Sequence, residues 1–124
     1  MAAAPASLGF PRSRRIKQGR DFLRAKTQGK RAVNGCLILN WLPLAAGSQT
    51  RLGVITSKKV GNAVARARAR RLLREAFRLN QLRLAQPLDL VVVARLSIVG
   101  KSFAEVEKDL LQGLRKAGLL KETV

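Results

Sequence analysis

The 124-residue sequence contains no histidine, no tyrosine and a single cysteine, Cys36. A serine or cysteine nucleophile needs a neighbouring base, most often histidine, so this composition excludes Ser–His and Cys–His catalysis. One cysteine can form neither an internal disulfide nor a cysteine-based metal site. Because Cys36 lies in an apolar run, we expect it to be a small buried side chain.

Acidic residues are also scarce, at seven against 25 lysines and arginines. A two-metal nuclease site needs several carboxylates that converge on the ions. Only Glu105 and Asp109 share a predicted helix face, and Lys108 lies beside them, so a solvated helix surface is the simpler interpretation. Glycine-rich phosphate loops of the GxxxxGK[ST] and GxGxxG types are absent too. We therefore expect no catalytic residue and no metal site in the chain itself.

Long apolar runs and a secretory signal are missing as well. No segment approaches the ~20 apolar residues of a membrane-spanning helix, and no basic residue precedes the alanines at the N-terminus. These features predict a cytoplasmic protein without a membrane partner. The length and the 47% hydrophobic content predict one domain with one core.

Positive charge is what the sequence has in excess, with a formal net charge of +18. Such an excess favours a phosphate-rich partner, and arginine suits bidentate phosphate contacts and base stacking. A merely solvated basic face fits less well, because few acids compensate the charge. Binding to a membrane surface also fits less well, because the apolar side of the basic segment is suited to packing in a core.

The segment from Ser57 to Phe77, SKKVGNAVARARARRLLREAF, concentrates this charge. At ~100° per residue, Arg66, Arg70, Arg74 and Arg78 recur every fourth position and form one stripe. Arg71 lies beside the stripe and Arg68 lies one turn away. The opposite side of the predicted helix is an apolar band suited to packing on a sheet. The band consists of Ala65, Ala69, Leu72, Leu73, Ala76 and Leu79.

The start of this helix is a second candidate phosphate site. Lys58, Lys59, Gly61 and Asn62 form a tight connection in which Asn62 is a candidate N-cap. The first helical amides point outward at the positive end of the helix dipole and can hold a phosphate. A plain helix cap explains Asn62 equally well.

The pattern of apolar and turn residues predicts an α+β fold, a single-domain α/β sandwich with helices packed on a small sheet. Residues 1–14 are predicted to form a flexible basic arm, 15–118 the folded domain and 119–124 a tail. Residues 43–50 read as a hairpin loop, and Ser102 with Glu105 as a capping box. Predicted helices cover 20–26, 63–79 and a final segment from Ser102 to near Gly118; predicted strands cover 36–42, 51–56 and 89–96. Trp41, Phe77 and Phe103 are expected in the core, whereas Phe22 suits either the core or a nucleotide contact.

Three blocks in this order resemble the family of bacterial ribonuclease P protein components. They are GRDFLRAKTQGKR, RLGVITSKKVGNAVARARARRLLREAFR, and DLVVVAR followed by SFAEVEKDLLQGLRK. The similarity runs from about Arg15 to Lys116, and the middle block is highly specific. It implies the element order αβββαβα with a left-handed strand–helix–strand crossover, although the right-handed form is the general default.

The resemblance also implies partners and chemistry. Proteins of this family bind ribonuclease P RNA, and the holoenzyme removes the 5′ leader of precursor tRNA with magnesium held mainly by the catalytic RNA. The protein is then an accessory subunit, expected as a monomer with one copy per RNA. The implied RNA-binding residues are Lys58, Lys59, Gly61, Asn62, Arg66, Arg68, Arg70, Arg71, Arg74 and Arg78. The implied leader-cleft residues are Phe22, Lys26, Ile38 and Asn40.

Three positions depart from the family pattern. Ala67 stands where the basic helix usually carries an asparagine between two arginines. Lys26 replaces an aromatic residue one turn after Phe22, and Asn40 stands at a strand position where tyrosine is often found. The leader cleft is therefore expected to rely less on stacking and more on charge and hydrogen bonds. Two alternatives stay open from composition alone: a basic ribosomal protein, and an RNA chaperone without a role in cleavage.

Overall fold

The computed structural model describes residues 9–121 and has the α+β architecture that the sequence predicts. Its elements follow the order αβββαβα. The helices are α1 (Gly19–Gln28), α2 (Ala63–Asn80) and α3 (Phe103–Lys116), and the strands are β1 (Lys30–Asn34), β2 (Leu37–Pro43), β3 (Arg51–Ile55) and β4 (Leu88–Ala94).

The four strands form one mixed sheet in the order β1-β2-β4-β3. Strand β2 runs antiparallel to both β1 and β4, whereas β3 runs parallel to β4. The prediction of a hairpin loop at residues 43–50 is therefore wrong, because β4 lies between β2 and β3. The hairpin instead joins β1 to β2, through a turn in which Gly35 has a φ of 57°. Helix α2 makes the crossover between β3 and β4, and the left hand of that crossover stays a prediction.

The two faces of the sheet pack against different parts of the protein. Successive side chains of a strand point to opposite faces. Leu37, Leu39 and Trp41 of β2 belong to the main core with buried residues of α2 and α3. Ile38 and Asn40 alternate with them and line a cavity together with α1 residues. Helix α1 thus covers the face opposite to α2 and α3, and the confirmed core positions of Trp41 and Cys36 lie on the main-core side.

Helix α2 begins where the sequence predicts, because the Asn62 side chain accepts a hydrogen bond from the Ala65 amide at 2.9 Å. Its buried residues are Ala69, Leu73, Ala76 and Phe77. The predicted apolar band is wrong at its C-terminal end, where Leu79 is 39% exposed. Phe77 is the buried residue near this end of the helix, and its ring packs edge-on against Phe10 with 5.3 Å between the ring centroids.

The ends of the described chain are packed against the domain. Arg14 Nε donates to the Thr50 carbonyl at 3.1 Å, and the Gln81 amide donates to the Gly9 carbonyl at 3.1 Å. At the other end, Leu119 is buried in the main core. The predicted domain boundaries at residues 15 and 118 therefore fall inside packed segments; the remainder of the predicted arm and tail, residues 1–8 and 122–124, lies outside the described residues.

Helix α3 starts with the predicted capping box. The Ser102 hydroxyl accepts from the Glu105 amide, and the Glu105 carboxylate accepts from the Ser102 amide. Both bonds satisfy amides that the first turn of a helix leaves without partners. Within residues 9–121, no helix combines the length and the apolar character that crossing a membrane requires.

Candidate nucleic-acid interface

The connection from β3 to α2 places two lysines at the start of the basic helix. Ser57 caps a short 3-10 turn at Lys58–Val60 by accepting from the Lys59 amide at 3.3 Å. Gly61 follows with a φ of 140°, a backbone conformation that L side chains rarely adopt. Lys58 and Lys59 thus lie directly before the N-terminus of α2, where the Ala65 amide is already bonded to Asn62, and phosphate binding there stays a prediction.

Two arginines of α2 are held by hydrogen bonds to other parts of the protein, and a third is partly covered. Arg70 Nη1 donates to the Thr56 hydroxyl at 2.8 Å, and Arg68 Nη2 donates to the Lys101 carbonyl at 2.8 Å. Arg66 is half-buried, with its Nε atom fully covered and without a hydrogen-bond partner. Because the hydrogen bonds restrain Arg68 and Arg70, less conformational entropy is lost when a partner binds the remaining donors of these two side chains.

The next turns of α2 present a second cationic surface. Arg71, Arg74 and Arg78 line a cavity of about 520 Å³ together with Arg15 and Phe10. Burial lowers the pKa of Arg74, and the nearby charges of Arg15 and Arg70 lower it further. Arg78 is held by Glu75, with 2.7 Å between Nη2 and Oε2. Because the neighbouring positive charges repel the Arg74 guanidinium, binding of an anion at this surface is favourable.

Arg15 is a cavity residue that no periodic sequence pattern indicates, and it lines both this cavity and a neighbouring one that contains Arg74 and Phe22. Its position depends on a backbone bridge to Leu52 at the edge of β3. A contact between residues this far apart in the chain leaves no periodic signal in the sequence. The sequence feature that points to a phosphate contact at Arg15 is the positive charge of the run Arg12–Lys17.

All four predicted leader-cleft residues lie together in one cavity of about 440 Å³ between α1 and the sheet. Phe22 and Lys26 come from α1, and Ile38 and Asn40 come from β2. Arg31 of β1, which the sequence analysis missed, lies directly across from Asn40 and lines the same cavity. The remaining lining is apolar: Leu23, Ile55, Val91 and Val93.

Phe22 is partly buried in the core and also accessible from the cavity, so its contact with a nucleotide stays a prediction. It packs on the small cluster of Ile16, Ala25 and Val91, and it also lines the cavity. Its ring lies so close to Gly53 that a Cβ atom there would come within 2.5 Å of Phe22 Cε1. The absence of a side chain at Gly53 is therefore what lets Phe22 sit on the sheet.

Asn40 is the polar exception on an otherwise apolar part of the cleft floor. The residue is only 6% exposed, and its Oδ1 atom has no hydrogen-bond partner. Buried polar atoms are nearly always paired, and leaving one unpaired costs about 1–3 kcal/mol. Asn40 lines the cavity although this oxygen is covered, so a ligand donor reaches the unpaired acceptor only if the side chain turns.

The cleft continues towards the start of α2. A neighbouring cavity of about 830 Å³ shares Ile38 and Val93 with it and adds Ser57, Lys59 and Arg95. At the opposite end, Phe22 is shared with a cavity lined by Arg12, Arg15 and Lys17. The arrangement is an apolar groove with cationic residues at both ends.

Every acidic residue between residues 9 and 121 is engaged by another part of the protein. Glu75 binds Arg78, Glu107 accepts from Asn80, and Asp109 accepts from the Cys36 amide. Asp21 and Asp89 bind Arg51, and Glu105 caps α3.

Burial raises the pKa of the Cys36 thiol to about 12, and its contact with Asp109 adds to the shift, so the thiol stays protonated at neutral pH. The described residues thus offer binding groups rather than a nucleophile or a carboxylate cluster.

Comparison with known proteins agrees with this geometry. The family model described as Ribonuclease P matches residues 10–118. The ribonuclease P protein component of Clostridium kluyveri is 38% identical over 86% of this chain and 96% of its own length. That of Gluconacetobacter diazotrophicus is 39% identical, covering 87% of this chain and 94% of the relative.

Solved structures show the same fold. The RNase P protein of Staphylococcus aureus superimposes with a TM-score of 0.79 at 28% identity, covering 87% of this chain and 98% of that protein. The Thermotoga maritima protein gives 0.73 at 29% identity, covering 82% and 96%. The resemblance seen in the sequence blocks is confirmed. The chain belongs to the ribonuclease P protein family, the protein subunits of a tRNA-processing ribonucleoprotein.

Proposed function

We propose that this subunit binds the catalytic RNA through α2 and the single-stranded 5′ leader of precursor tRNA through the cleft beneath α1. It works as one protein copy per RNA in the cytoplasm. The observation that carries the proposal is a single cavity whose lining contains no arginine of α2 but includes all four predicted cleft residues, Phe22, Lys26, Ile38 and Asn40. Two cationic surfaces on one small domain can hold two RNA segments at a fixed separation.

The chemistry of the cleft suits a single strand. Bases offer π-faces and polar edges, and proteins recognise unpaired nucleotides by stacking and by hydrogen bonds to those edges. Phe22, Ile38 and Val93 provide apolar contact area, Asn40 provides an unpaired acceptor, and Lys26 with Arg31 provides charge for phosphates. A duplex has its base faces stacked and does not match this lining.

Hydrolysis is assigned to magnesium held mainly by the catalytic RNA. Support comes from the acids of the described residues, each of which already has a structural partner, for example Glu105 in the cap of α3. A Mg²⁺ ion prefers carboxylates and waters in octahedral geometry, and such a site needs carboxylates that are free to turn towards it. The protein residues bind and orient RNA, and they neutralise phosphate charge.

The ribosomal alternative is not favoured, because the family model and the curated relatives named above are ribonuclease P proteins. The deciding experiment is cleavage of precursor tRNA by the cognate catalytic RNA at low magnesium, with and without the protein. We expect strong stimulation by the protein and a cleavage product with a mature 5′ end. Tight RNA binding without stimulation would instead favour the chaperone alternative and would make the departure at Ala67 decisive.

Substituting Asn40 by leucine should raise stability and weaken leader binding at the same time. Removing a buried unpaired oxygen is expected to raise the free energy of unfolding by about 1 kcal/mol. Losing one hydrogen bond to the leader is expected to lower the preference for precursor over mature tRNA about five- to tenfold. Urea denaturation and equilibrium binding to both tRNAs measure the two effects.

The matched control is Gln112→Leu, a polar-to-apolar change on α3 at a half-buried position. It should leave the preference for precursor tRNA unchanged. A fall in stability for Asn40→Leu would show that the Asn40 amide has a structural partner and would remove it from the leader contacts.

A further inference from the structure

One guanidinium group joins two buried carboxylates from different elements on the cleft side of the sheet. Arg51 of β3 donates to Asp89 of β4 through Nε at 2.9 Å and Nη2 at 2.7 Å. Its third nitrogen, Nη1, lies 3.4 Å from Asp21 of α1. Asp89 is 1% exposed and Asp21 is 8% exposed. The sheet is thereby linked to α1 through Arg51.

Helix α1 depends on this link because little apolar surface holds it. Only Asp21 and Ala25 are buried among its ten residues. The apolar cluster beneath it consists of Ile16, Ala25 and Val91, with Phe22 and Val93 partly buried against them. A helix docked through so small a cluster gains little from hydrophobic burial, so its attachment is sensitive to a change that leaves one member of the partly buried ion pair without its partner.

The link also sets the position of residues that contact the leader. Asp21 precedes Phe22 in α1, and their partners Arg51 and Gly53 lie two residues apart on β3, on the same face of the sheet. Lys26 lies about one turn further along the same helix. Any rotation or lift of the first turn of α1 therefore moves Phe22 and Lys26 relative to Ile38 and Asn40 on the opposite wall.

We propose that the Asp21–Arg51 ion pair sets the width of the leader cleft, so that Asp21 and Arg51 are positioning residues for leader recognition. This inference rests on the proposed function of the cleft. Neither residue has to touch RNA for this role. The Arg51–Asp89 pair holds the guanidinium in place on the sheet. The Asp21–Arg51 contact then holds α1 at a fixed distance from that guanidinium.

The test is Asp21→Asn in the reconstituted holoenzyme, because this change keeps the side-chain size and leaves the Arg51–Asp89 pair intact. We expect the ratio of affinities for precursor and mature tRNA to fall about three- to tenfold, as expected for loss of a partly buried ion pair. The affinity for the catalytic RNA should stay within about twofold. Removing a negative charge beside the cleft would by itself favour the precursor, which alone carries the leader phosphates, so a fall in the ratio cannot come from the charge change.

Two further variants separate positioning from stability. Asp21→Glu restores the carboxylate and should recover most of the discrimination. Gly53→Ala displaces the ring of Phe22 without changing any charge, since its Cβ would lie 2.5 Å from Cε1, and should reproduce the loss. The control is Arg24→Met, which removes the other partner of Asp21, 3.0 Å away within α1, and should keep the wild-type ratio.

The outcomes distinguish the two proposals. If the wild-type holoenzyme shows no preference for precursor tRNA, the proposed function of the cleft fails. If the wild type discriminates and Asp21→Asn discriminates equally well, only the positioning role is overturned. A parallel loss of catalytic-RNA affinity and leader discrimination at temperatures well below the unfolding midpoint would also overturn it, because the ion pair would then act on the whole domain.

Discussion

Replacing Asp89 by alanine is expected to lower the free energy of unfolding by about 3 kcal/mol. The carboxylate is 1% exposed and accepts two hydrogen bonds from Arg51, so its removal leaves a partly buried guanidinium without its main partner. Removing one member of a buried ion pair typically costs about 3–5 kcal/mol, and the lower value applies because the Arg51 side chain is 33% exposed. Urea denaturation should show a lower midpoint with an unchanged slope.

The control for this prediction is Glu75→Gln, which removes an ion pair of similar length on the surface of α2. The Glu75 side chain is 48% exposed, and exposed pairs contribute about 0–1 kcal/mol. Equal effects of the two substitutions would mean that Asp89 is hydrated and that the link beneath α1 adds little to stability.

Substituting Arg71 and Arg74 together by glutamine should weaken catalytic-RNA binding roughly tenfold or more at low salt. Both side chains line the same cavity, and the charges of Arg15 and Arg70 already disfavour the Arg74 cation in the free protein. Loss of two phosphate contacts should lower the slope of log affinity against log salt concentration by about 1.4–1.8. Filter binding or fluorescence titration between 50 and 200 mM salt measures the slope.

A double variant with the same charge loss on α3, Lys108→Gln with Arg115→Gln, is the matched control. Both residues are exposed on the helix that follows β4. An unchanged slope for Arg71→Gln with Arg74→Gln, or equal losses in both double variants, would show that this surface of α2 does not face RNA.

The basic helix could be predicted from the sequence because its signals are local. These signals are the arginines at every fourth position and the inward Ala69 and Leu73 within one helix of 18 residues, and the cap at Asn62 directly before it. Its observed start at Ala63 coincides with the prediction. The exposed Leu79 was placed wrongly because the tertiary contact of Phe77 with Phe10, 67 positions earlier in the chain, decides which side of the last turn is buried.

Sheet order could not be predicted in this way. Apolar periodicity identified β2, β3 and β4 individually, yet it contains no information on which strands pair. The loop after Pro43 resembles a hairpin loop by composition, whereas the actual neighbour of β2 is β4, which begins at Leu88. The αβββαβα order came from the family resemblance and is confirmed.

The cleft illustrates the same limit at the level of single residues. Sequence context alone indicates Phe22 as either a core residue or a nucleotide contact. The resemblance assigns the other three residues, Lys26, Ile38 and Asn40, since no spacing rule joins a helix to the second strand of a sheet. Arg31 was missed because β1 has a weak apolar pattern, with only its last residue buried. The link through Arg51 depends on the parallel pairing of β3 with β4, which places Arg51 opposite Asp89.

The position of β4 inside the sheet has a consequence for how the protein forms during synthesis. Among the strands of residues 9–121, β3 pairs with β4 alone, and α2 is the segment that connects them. A nascent chain that ends before Leu88 can form the β1–β2 hairpin, but β3 and the arginine helix have no sheet to dock on. Non-local parallel pairing of this kind forms slowly because a long loop must close first. Helix α2 therefore reaches its final place only after β4 has been translated.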